Sequence, residues 1–477
     1  MPSVDLEVAI IGTGFSGIAA ARELQQAGIT DIQLFESGDD IGGTWRDNRY
    51  PGCACDVPSM LYSLSWAPNP AWSRVYSPSE EIHAYMKRVV QDLGLTERVR
   101  LNTPVLSMVW EDGAWNLSLP NDECVRARYA VLGIGALRDP VIPNIPGVQT
   151  FHGPAMHTAR WDPTVDLQDK HIAIVGTGAS AIQVLPAIAP RAASVTVYQR
   201  TPPWVMPRGD RAFRSWEHAL FRLPGVMPAL RLSTFVRTEA MYHGVFGPRR
   251  PLGRIARWSL TRHAKQGSGD LPGVIPDYDV GCKRVLLSDD WYPALARDNV
   301  TLVNGGVQSI TETGLVSGDE ERNADVILWC TGFRVDRPLG RLTIQDADGN
   351  DVSKRWGTRP TAHLGITLPR APNLFAMLGP NTALGHSSVV VMIEAQARYL
   401  AQAVGWSNKT GRRVEVRQDA HDAFVQEVDR KHKALVWQSG GCRSWYQSET
   451  GENFTIWPGS AWSYIRRLSR FDPTVLR

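Results

Sequence analysis

Val8-Ala9-Ile10-Ile11-Gly12-Thr13-Gly14-Phe15-Ser16-Gly17, continued by Ile18-Ala19-Ala20-Ala21-Arg22-Glu23-Leu24, reads as an apolar strand, a glycine turn and a helix in direct succession. The first glycine makes the tight turn. The second lets backbone N–H groups approach a pyrophosphate, and the third position must be small for the helix to pack closely on the strand. One such motif is weak evidence, but this chain carries a second. Ile172-Ala173-Ile174-Val175 runs into Gly176-Thr177-Gly178-Ala179-Ser180-Ala181, and Ile182-Gln183-Val184-Leu185 continues as helix, with Ala181 as an accepted small residue at the third position. The duplication predicts an α/β chain built on two Rossmann-like dinucleotide-binding domains.

The two copies differ where the following strand ends, the place at which a side chain meets the adenosine ribose. Twenty-four residues beyond Gly12, after Ile32-Gln33-Leu34-Phe35, stands Glu36, and an acid there can accept hydrogen bonds from free ribose hydroxyls, as in FAD or NAD. The same count from Gly176, after Val195-Thr196-Val197-Tyr198-Gln199, reaches Arg200. A guanidinium binds a 2′-phosphate that an acid would repel, so the second copy suits NADPH. Both residues would otherwise be ordinary strand-end charges, a reading that the matched offsets argue against. An FAD fold and an NADPH fold on one chain point to a flavin-dependent oxidoreductase.

The rest of the sequence bounds this reading. With 477 residues, about three domains of roughly 150 residues are expected. Ala130-Val131-Leu132-Gly133-Ile134-Gly135 has the pattern of a buried strand, and the proline-rich stretch Asp139 to Gly147 leaves the first domain. Ala324 to Phe333 is a further strand that returns the chain. The expected division is 1–150 for the first part of the FAD domain, 151–335 for the NADP domain, and 336–477 for the second part of the FAD domain with a C-terminal segment. A formal charge of +3, from 51 basic and 48 acidic residues, builds no global field for nucleic acid. There is no secretion signal and no apolar run of membrane-spanning length. Six scattered cysteines form neither a disulfide framework nor a metal cluster, which suits a cytoplasmic location.

One stretch differs in composition. Between Arg211 and Lys265 there are eleven Arg or Lys against Glu217 and Glu239, interleaved with Trp216, Leu220, Phe235, Tyr242, Phe246 and Trp258. It reads as a helical insertion over about 211–275 of the second domain. A solvated basic face over a substrate-domain core is one account of it, and peripheral contact with an anionic membrane is the other.

With these motifs in hand, the chain resembles the class B flavoprotein monooxygenases, and most closely the Baeyer-Villiger monooxygenases, over nearly its whole length. The most specific segment is Phe151-His152-Gly153-Pro154-Ala155-Met156-His157-Thr158-Ala159-Arg160-Trp161-Asp162, which fits the family fingerprint through Phe151, Gly153, His157 and Trp161. Heteroatom-oxidising relatives usually carry Tyr or Phe in place of that Trp. The resemblance implies that this segment links the two domains and that His157 couples their movement rather than performing the chemistry. Gly42-Gly43-Thr44-Trp45 and Arg49 to Asp56 are similar to the family's flavin-contacting loop, and Gly281-Cys282-Lys283-Arg284 to the segment that supplies an arginine to the flavin. Arg284 and Asp56 are therefore the implied catalytic residues, with Asp56 orienting Arg284, and Lys283 is a second candidate for the NADPH phosphate. The full set of implied cofactor contacts is Gly12, Gly14, Phe15, Ser16, Gly17, Glu36, Gly43, Thr44, Trp45, Tyr50, Asp56, Tyr62, Gly176, Gly178, Ala179, Ser180, Gln183, Arg200, Thr201, Lys283, Arg284, Thr331, Gly332 and Asn381, with no metal. Ser387 or Ser388 would cap a helix starting at Val389 whose positive end faces the flavin.

The activity implied is NADPH- and O2-dependent insertion of one oxygen next to the carbonyl of a small apolar ketone, through a C4a-peroxyflavin kept anionic by Arg284. Arginine suits that task because it stays charged when desolvated. Three other readings stand beside it: an S- or N-oxygenating flavin monooxygenase, a pyridine-nucleotide disulfide reductase with a redox cysteine pair over the flavin, and a non-catalytic NADPH-binding sensor. Substrate identity, regioselectivity and oligomeric state are not set by the sequence.

Overall fold

The computed structural model describes residues 4–477. Strand β1 (Leu6–Ile11) is buried along nearly its whole length and is followed by α1 (Phe15–Gln26), which begins directly at the glycine turn. β2 (Ile32–Phe35), β3 (Val99–Arg100), β4 (Ser107–Glu111), β5 (Ala114–Ser118) and β6 (Cys124–Leu132) complete the first run of strands. Two of the turn glycines are there of necessity. Gly12 has φ +102°, and a Cβ on it would lie 2.6 Å from the Gly133 carbonyl oxygen, while a Cβ on Gly17 would lie 2.0 Å from the Gly12 carbonyl oxygen. Gly14 is different, because a Cβ there would meet nothing within 4 Å. The first and third glycines thus serve packing, and the second keeps a surface open for a ligand.

The second unit repeats the plan. β7 (Ala155–His157), β8 (His171–Val175), β9 (Ser194–Gln199), β10 (Val300–Asn304) and β11 (Val326–Trp329) form a parallel five-stranded sheet in the order β10-β9-β8-β11-β7. Its glycine turn leads into α2 (Ala181–Ile188). Between β9 and β10 lie α3 (Ser215–Phe221), α4 (Val226–Met241) with a π-helical turn at its end, α5 (Gly253–Ser268) and a short helix Trp291–Leu295. The chain then returns to the first sheet through β12 (Thr343–Gln345) and β13 (Leu374–Ala376), giving the order β12-β4-β5-β6-β1-β2-β3. β5 pairs antiparallel with the first half of β6, and β13 pairs parallel with its last three residues, so the long strand β6 carries both on one edge and β1 on the other. α6 (Val389–Thr410) packs against α1, and nearly every residue on its first three turns is buried.

The fingerprint segment supplies β7, the edge strand of the second sheet. Gly153 is required there, since a Cβ would fall 2.3 Å from the Asp325 carbonyl oxygen. Phe151 and Trp161, both half-buried, pack against the two hydrophobic clusters on either side of that sheet. The cysteine reading needs correction: Cys282 and Cys442, 160 residues apart, form a disulfide, because the fold brings the loop before Arg284 against the C-terminal segment. Cys53, Cys55, Cys124 and Cys330 are free, and all but Cys124 are buried.

Substitutions at the two kinds of glycine should behave differently. Gly17→Ala is expected to destabilise the fold by about 1–3 kcal/mol or to prevent folding, whereas Gly14→Ala should leave the melting temperature of cofactor-free protein unchanged and instead weaken flavin retention. Thermal denaturation and flavin content separate the two. Acid should also destabilise the protein through buried imidazoles. Burial pushes His157, His363 and His432 down to about 4. They stay neutral when folded and charge near pH 6.5 when unfolded, so their contribution is complete above about pH 6.5 and is lost as pH falls towards 4. Urea denaturation at several pH values should show a shallower acid limb in His363→Gln than in the parent.

Candidate functional site

The end of β2 carries Glu36, which is 4 % exposed and anchored on both oxygens. Oε2 accepts from Thr13 N and Oγ1 at 3.1 and 2.7 Å, and Oε1 accepts from Gly38 N at 2.9 Å and pairs with Arg46 Nη1 at 2.7 Å. Burial raises its carboxyl, but Arg46, Thr13 and Gly38 outweigh it and hold the group below the usual range. A carboxylate offers about four acceptor positions, so a ribose diol must displace Arg46 or Thr13 Oγ1 to bond it. Sequence reasoning missed Arg46, ten residues beyond Glu36 and outside any motif. Gly43, at φ +52°, crosses the same turn, and a Cβ on it would lie 3.4 Å from Gly14 Cα. Thr44 begins a short helix, Thr44–Asp47, that carries Trp45 inward. Phe15, Trp45 and Tyr62 then form an aromatic wall, with Phe15–Tyr62 and Trp45–Tyr62 centroids 5.4 and 5.5 Å apart and Trp45 Nε1 donating to Tyr62 Oη at 3.2 Å. Ser16, also buried, sits in the first turn of α1, whose N-cap Gly14 offers no side-chain cap. The first amides of that helix are thus left for a ligand anion.

The second turn has the same construction. Gly176 has φ +106° and lies 2.5 Å, by its hypothetical Cβ, from the Cys330 carbonyl oxygen, while Gly178 has open space with one atom at 3.9 Å. Ala179 is exposed beside it, and Ser180 stands at the N-cap of α2 without a capping bond. Arg200 is exposed at the end of β9, and the Thr201 carbonyl accepts from Thr177 Oγ1 at 3.1 Å. Lys283 comes from a segment 83 residues further on and stacks over Tyr278 at 5.0 Å. Burial first, and then the Arg200 cation, hold Lys283 below the ordinary lysine range. Among the described residues neither cation has an acidic partner within salt-bridge distance. Two neighbouring cations that make no salt bridge, with Asp277 the acid that acts on Lys283, stand beside an open glycine turn and an uncapped helix start and fit a phosphate-bearing dinucleotide.

Tyr50 and Gln183, both expected cofactor contacts, are bonded to each other: Tyr50 Oη donates to Gln183 Oε1 at 2.8 Å, and Gln183 Nε2 donates to the Ala54 carbonyl at 2.9 Å. Together they fasten the loop of the first unit to α2 of the second. Asn381 is likewise committed to structure. It is buried at φ +58°, and its Nδ2 donates to the Asn453 and Ile456 carbonyls at 2.9 and 3.3 Å, which pins the C-terminal segment. Thr331 donates to the Val141 carbonyl, and the Gly332 carbonyl accepts from Val141 N at 2.9 Å, so both secure the linker between the units. His157 is 3 % exposed, its Nδ1 accepts from Ala159 N at 3.1 Å, and its ring meets Phe333 edge-on at 5.5 Å.

Asp56 and Arg284, 228 residues apart, come together in the cleft. Asp56 Oδ2 accepts from Arg284 Nε at 2.8 Å and from Nη2 at 2.6 Å, and Arg284 Nη1 donates to the Leu384 carbonyl at 3.4 Å. The Asp56 charge raises the guanidinium further above its ordinary range, against the opposing effect of burial. The two side chains keep 28 % and 24 % of their exposure, so the pair borders solvent-accessible space. A guanidinium has five N–H donors, and these contacts leave two for a ligand. Tyr446, 1 % exposed, has a phenol oxygen with no hydrogen-bond partner; burial pushes it up to about 12, with smaller effects of Arg284 downward and Asp56 upward. The sequence offered no signal for Tyr446, which lies four residues beyond Cys442. Ser388 Oγ caps α6 by accepting from Val390 N at 3.2 Å, and Ser387 bonds Thr238 at 2.9 Å, which decides between the two candidate caps. The two clefts that flank Gly52, of about 420 and 500 Å³, are lined by neither Arg284 nor Asp56.

Comparison with known proteins agrees with this geometry. Residues 9–214 match the family model for pyridine nucleotide-disulphide oxidoreductases. Cys53 and Cys55 are not bonded to each other, and the disulfide present joins segments far outside that match. The chain is 41 % identical to a Baeyer-Villiger monooxygenase of Streptomyces coelicolor, over 98 % of its own length and 91 % of the relative's. It is 38 % identical to one of Pseudomonas aeruginosa, over 98 % and 90 %. Among solved structures, an oxidised steroid monooxygenase bound to NADP superposes with a TM-score of 0.86 at 25 % identity, covering 98 % of this chain and 97 % of that one. OTEMO in complex with FAD and NADP superposes at 0.89 with 25 % identity and the same coverage. Two relatives at 38 % and 41 % identity, each matched over 98 % of this chain, make it a member of the Baeyer-Villiger monooxygenases.

Proposed function

We propose that this protein binds FAD on its first glycine turn and NADPH on its second, and uses them with O2 to insert one oxygen atom beside the carbonyl of an apolar ketone. The observation that carries the reading is the Asp56–Arg284 pair, a fixed cation at the meeting point of both units with two donors free. FAD, when bound, supplies acceptance of hydride from NADPH and activation of O2. Every other requirement falls on the protein. Arg284 holds a positive charge where an oxygen anion must be stabilised and passed to the substrate carbonyl, and Asp56 fixes its orientation without neutralising all of its donors. The aromatic wall of Phe15, Trp45 and Tyr62 excludes water from one side of the flavin site. Arg200 and Lys283 select the 2′-phosphate of NADPH over NADH.

Incubation with NADPH, a ketone panel and isotopically labelled O2 should give an ester or lactone carrying one labelled oxygen. NADPH consumption that yields hydrogen peroxide alone, or sulfoxide from thioethers without any ester, would move the assignment to an oxidase-like or heteroatom-oxidising enzyme. Arg284→Ala is expected to retain FAD and lose ester formation; native-rate turnover by that variant sinks the role given to Arg284. Arg200→Glu should raise the KM for NADPH by roughly ten- to a hundredfold, the loss expected for one charge-assisted hydrogen-bonded contact, and leave that for NADH nearly unchanged. Because Lys283 titrates below the ordinary lysine range, the KM for NADPH should climb on the alkaline side of the pH profile as its charge is lost, and Lys283→Arg should flatten that limb.

A further inference from the structure

Eight of the fifteen exposed large hydrophobic side chains among the described residues lie between positions 216 and 258, on the helices inserted between β9 and β10. They follow helical spacing. Trp216, Leu220 and Leu223 recur along α3 and its end, Leu232 and Val236 along α4, and Leu252, Ile255 and Trp258 along the start of α5. Trp258 is 64 % exposed, Leu232 61 % and Trp216 60 %. These are stripes, not scattered surface residues, and contiguous exposed apolar surface marks an interaction site.

The charge around the stripes is one-sided, and the fold makes it more so. Both acids of the stretch are turned inward. Glu217 is buried under Arg211 at 2.7 Å, and Glu239 accepts from Ala461 N and Trp462 N at 3.0 Å each and pairs with His386 at 3.1 Å. Arg231, Arg250 and Arg257 are likewise taken up by Glu394 and Asp279. Arg214, Arg222, Arg237, Arg249, Arg254, Arg262 and Lys265 are left, all exposed and without an acidic partner among the described residues.

We propose that this helical face docks the enzyme on an anionic phospholipid bilayer, with the Trp, Leu and Ile stripes entering the acyl boundary and the six arginines and one lysine meeting the headgroups. A bilayer offers both chemistries at once, an apolar interior and a negative surface. A second copy of this chain fits poorly, because a two-fold pairing of the face sets like charges against like. A nucleic acid would satisfy the cations and leave the apolar stripes in water.

The helix that carries part of the docked face also binds segments that run close to the Asp56–Arg284 pair. Turned away from Leu232 and Val236, α4 binds inward through Arg231, whose Nη1 donates to the Leu61 and Ser63 carbonyls at 3.0 and 2.5 Å, and Thr238, which meets Ser387; Glu239, seven residues after Leu232, ends the apolar row against His386. His386 and Ser387, so held, lie two and three residues beyond Leu384, whose carbonyl accepts from Arg284. On the ketone reading above, an apolar substrate dissolved in the membrane would reach the enzyme on the side of the protein where that helix lies.

Sedimentation of the FAD-loaded enzyme with vesicles tests the docking without any turnover. Phosphatidylcholine vesicles containing phosphatidylglycerol should carry the protein down at low salt, and phosphatidylcholine alone should not. Arg249→Glu/Arg254→Glu and Trp216→Ser/Trp258→Ser should each weaken partition by about tenfold or more while flavin content and melting temperature stay those of the parent. The proposal is overturned if the parent stays in the supernatant with anionic vesicles, if the variants partition as the parent does, or if sedimentation velocity shows a dimer that Trp216→Ser/Trp258→Ser dissolves. Failure of ketone oxidation with intact vesicle binding would strike the substrate reading alone.

Discussion

Two opposite charges from distant parts of the chain, Asp56 and Arg284, must stand within hydrogen-bond distance in a cleft that is partly dry. Most of the architecture bears on that requirement. Removing a guanidinium from water is costly unless a carboxylate is held beside it, and the pair persists only if the elements carrying each residue are independently fixed. Asp56 is fixed by the loop that follows the first glycine turn. Arg284 is fixed by the short strand that follows it, Leu286–Leu287 paired with Val205–Met206, and by the Cys282–Cys442 disulfide and the Leu384 carbonyl. Because the pair comes from the two different units, its geometry reports how they are seated on each other.

That seating is secured at several points. The Tyr50–Gln183–Ala54 bonds join the flavin loop to α2. Val141 joins the linker to Thr331 and Gly332 at the end of β11. The C-terminal segment is tied in as well, with Asn381 holding the 453 and 456 carbonyls and Tyr446 buried where the Arg284 charge acts on it. Residues expected to touch cofactor therefore have a second occupation in holding the cleft together. A substitution at Gln183 or Asn381 would alter the shape of the site before it altered any ligand contact.

The glycine turns show how far local sequence carries. Gly12, Gly17 and Gly176 are needed because a carbonyl oxygen lies where a side chain would start, and Gly14 and Gly178 because a ligand must approach. These demands are met within a few residues, so they are written in the motif. Glu36 shows the limit. Its place at the end of β2 was legible from spacing, yet its partner Arg46 was not, because a short helix turns that arginine back on it. The disulfide lay further out of reach, since two cysteines 160 residues apart carry no spacing signal.

The sequence by itself determined the two dinucleotide folds, their ligands through Glu36 and Arg200, and the fingerprint strand, because each rests on residue types at fixed local offsets or in a specific motif; the pairing of Asp56 with Arg284 was implied only by the family resemblance. Tertiary structure alone decided that Tyr50 bonds Gln183, that Ser388 rather than Ser387 caps α6, that Tyr446 joins the site, and that both acids of the basic insertion face inward while its tryptophans face out. Those outcomes depend on which surfaces are left after distant elements have packed, and packing across hundreds of residues is not encoded in any local spacing.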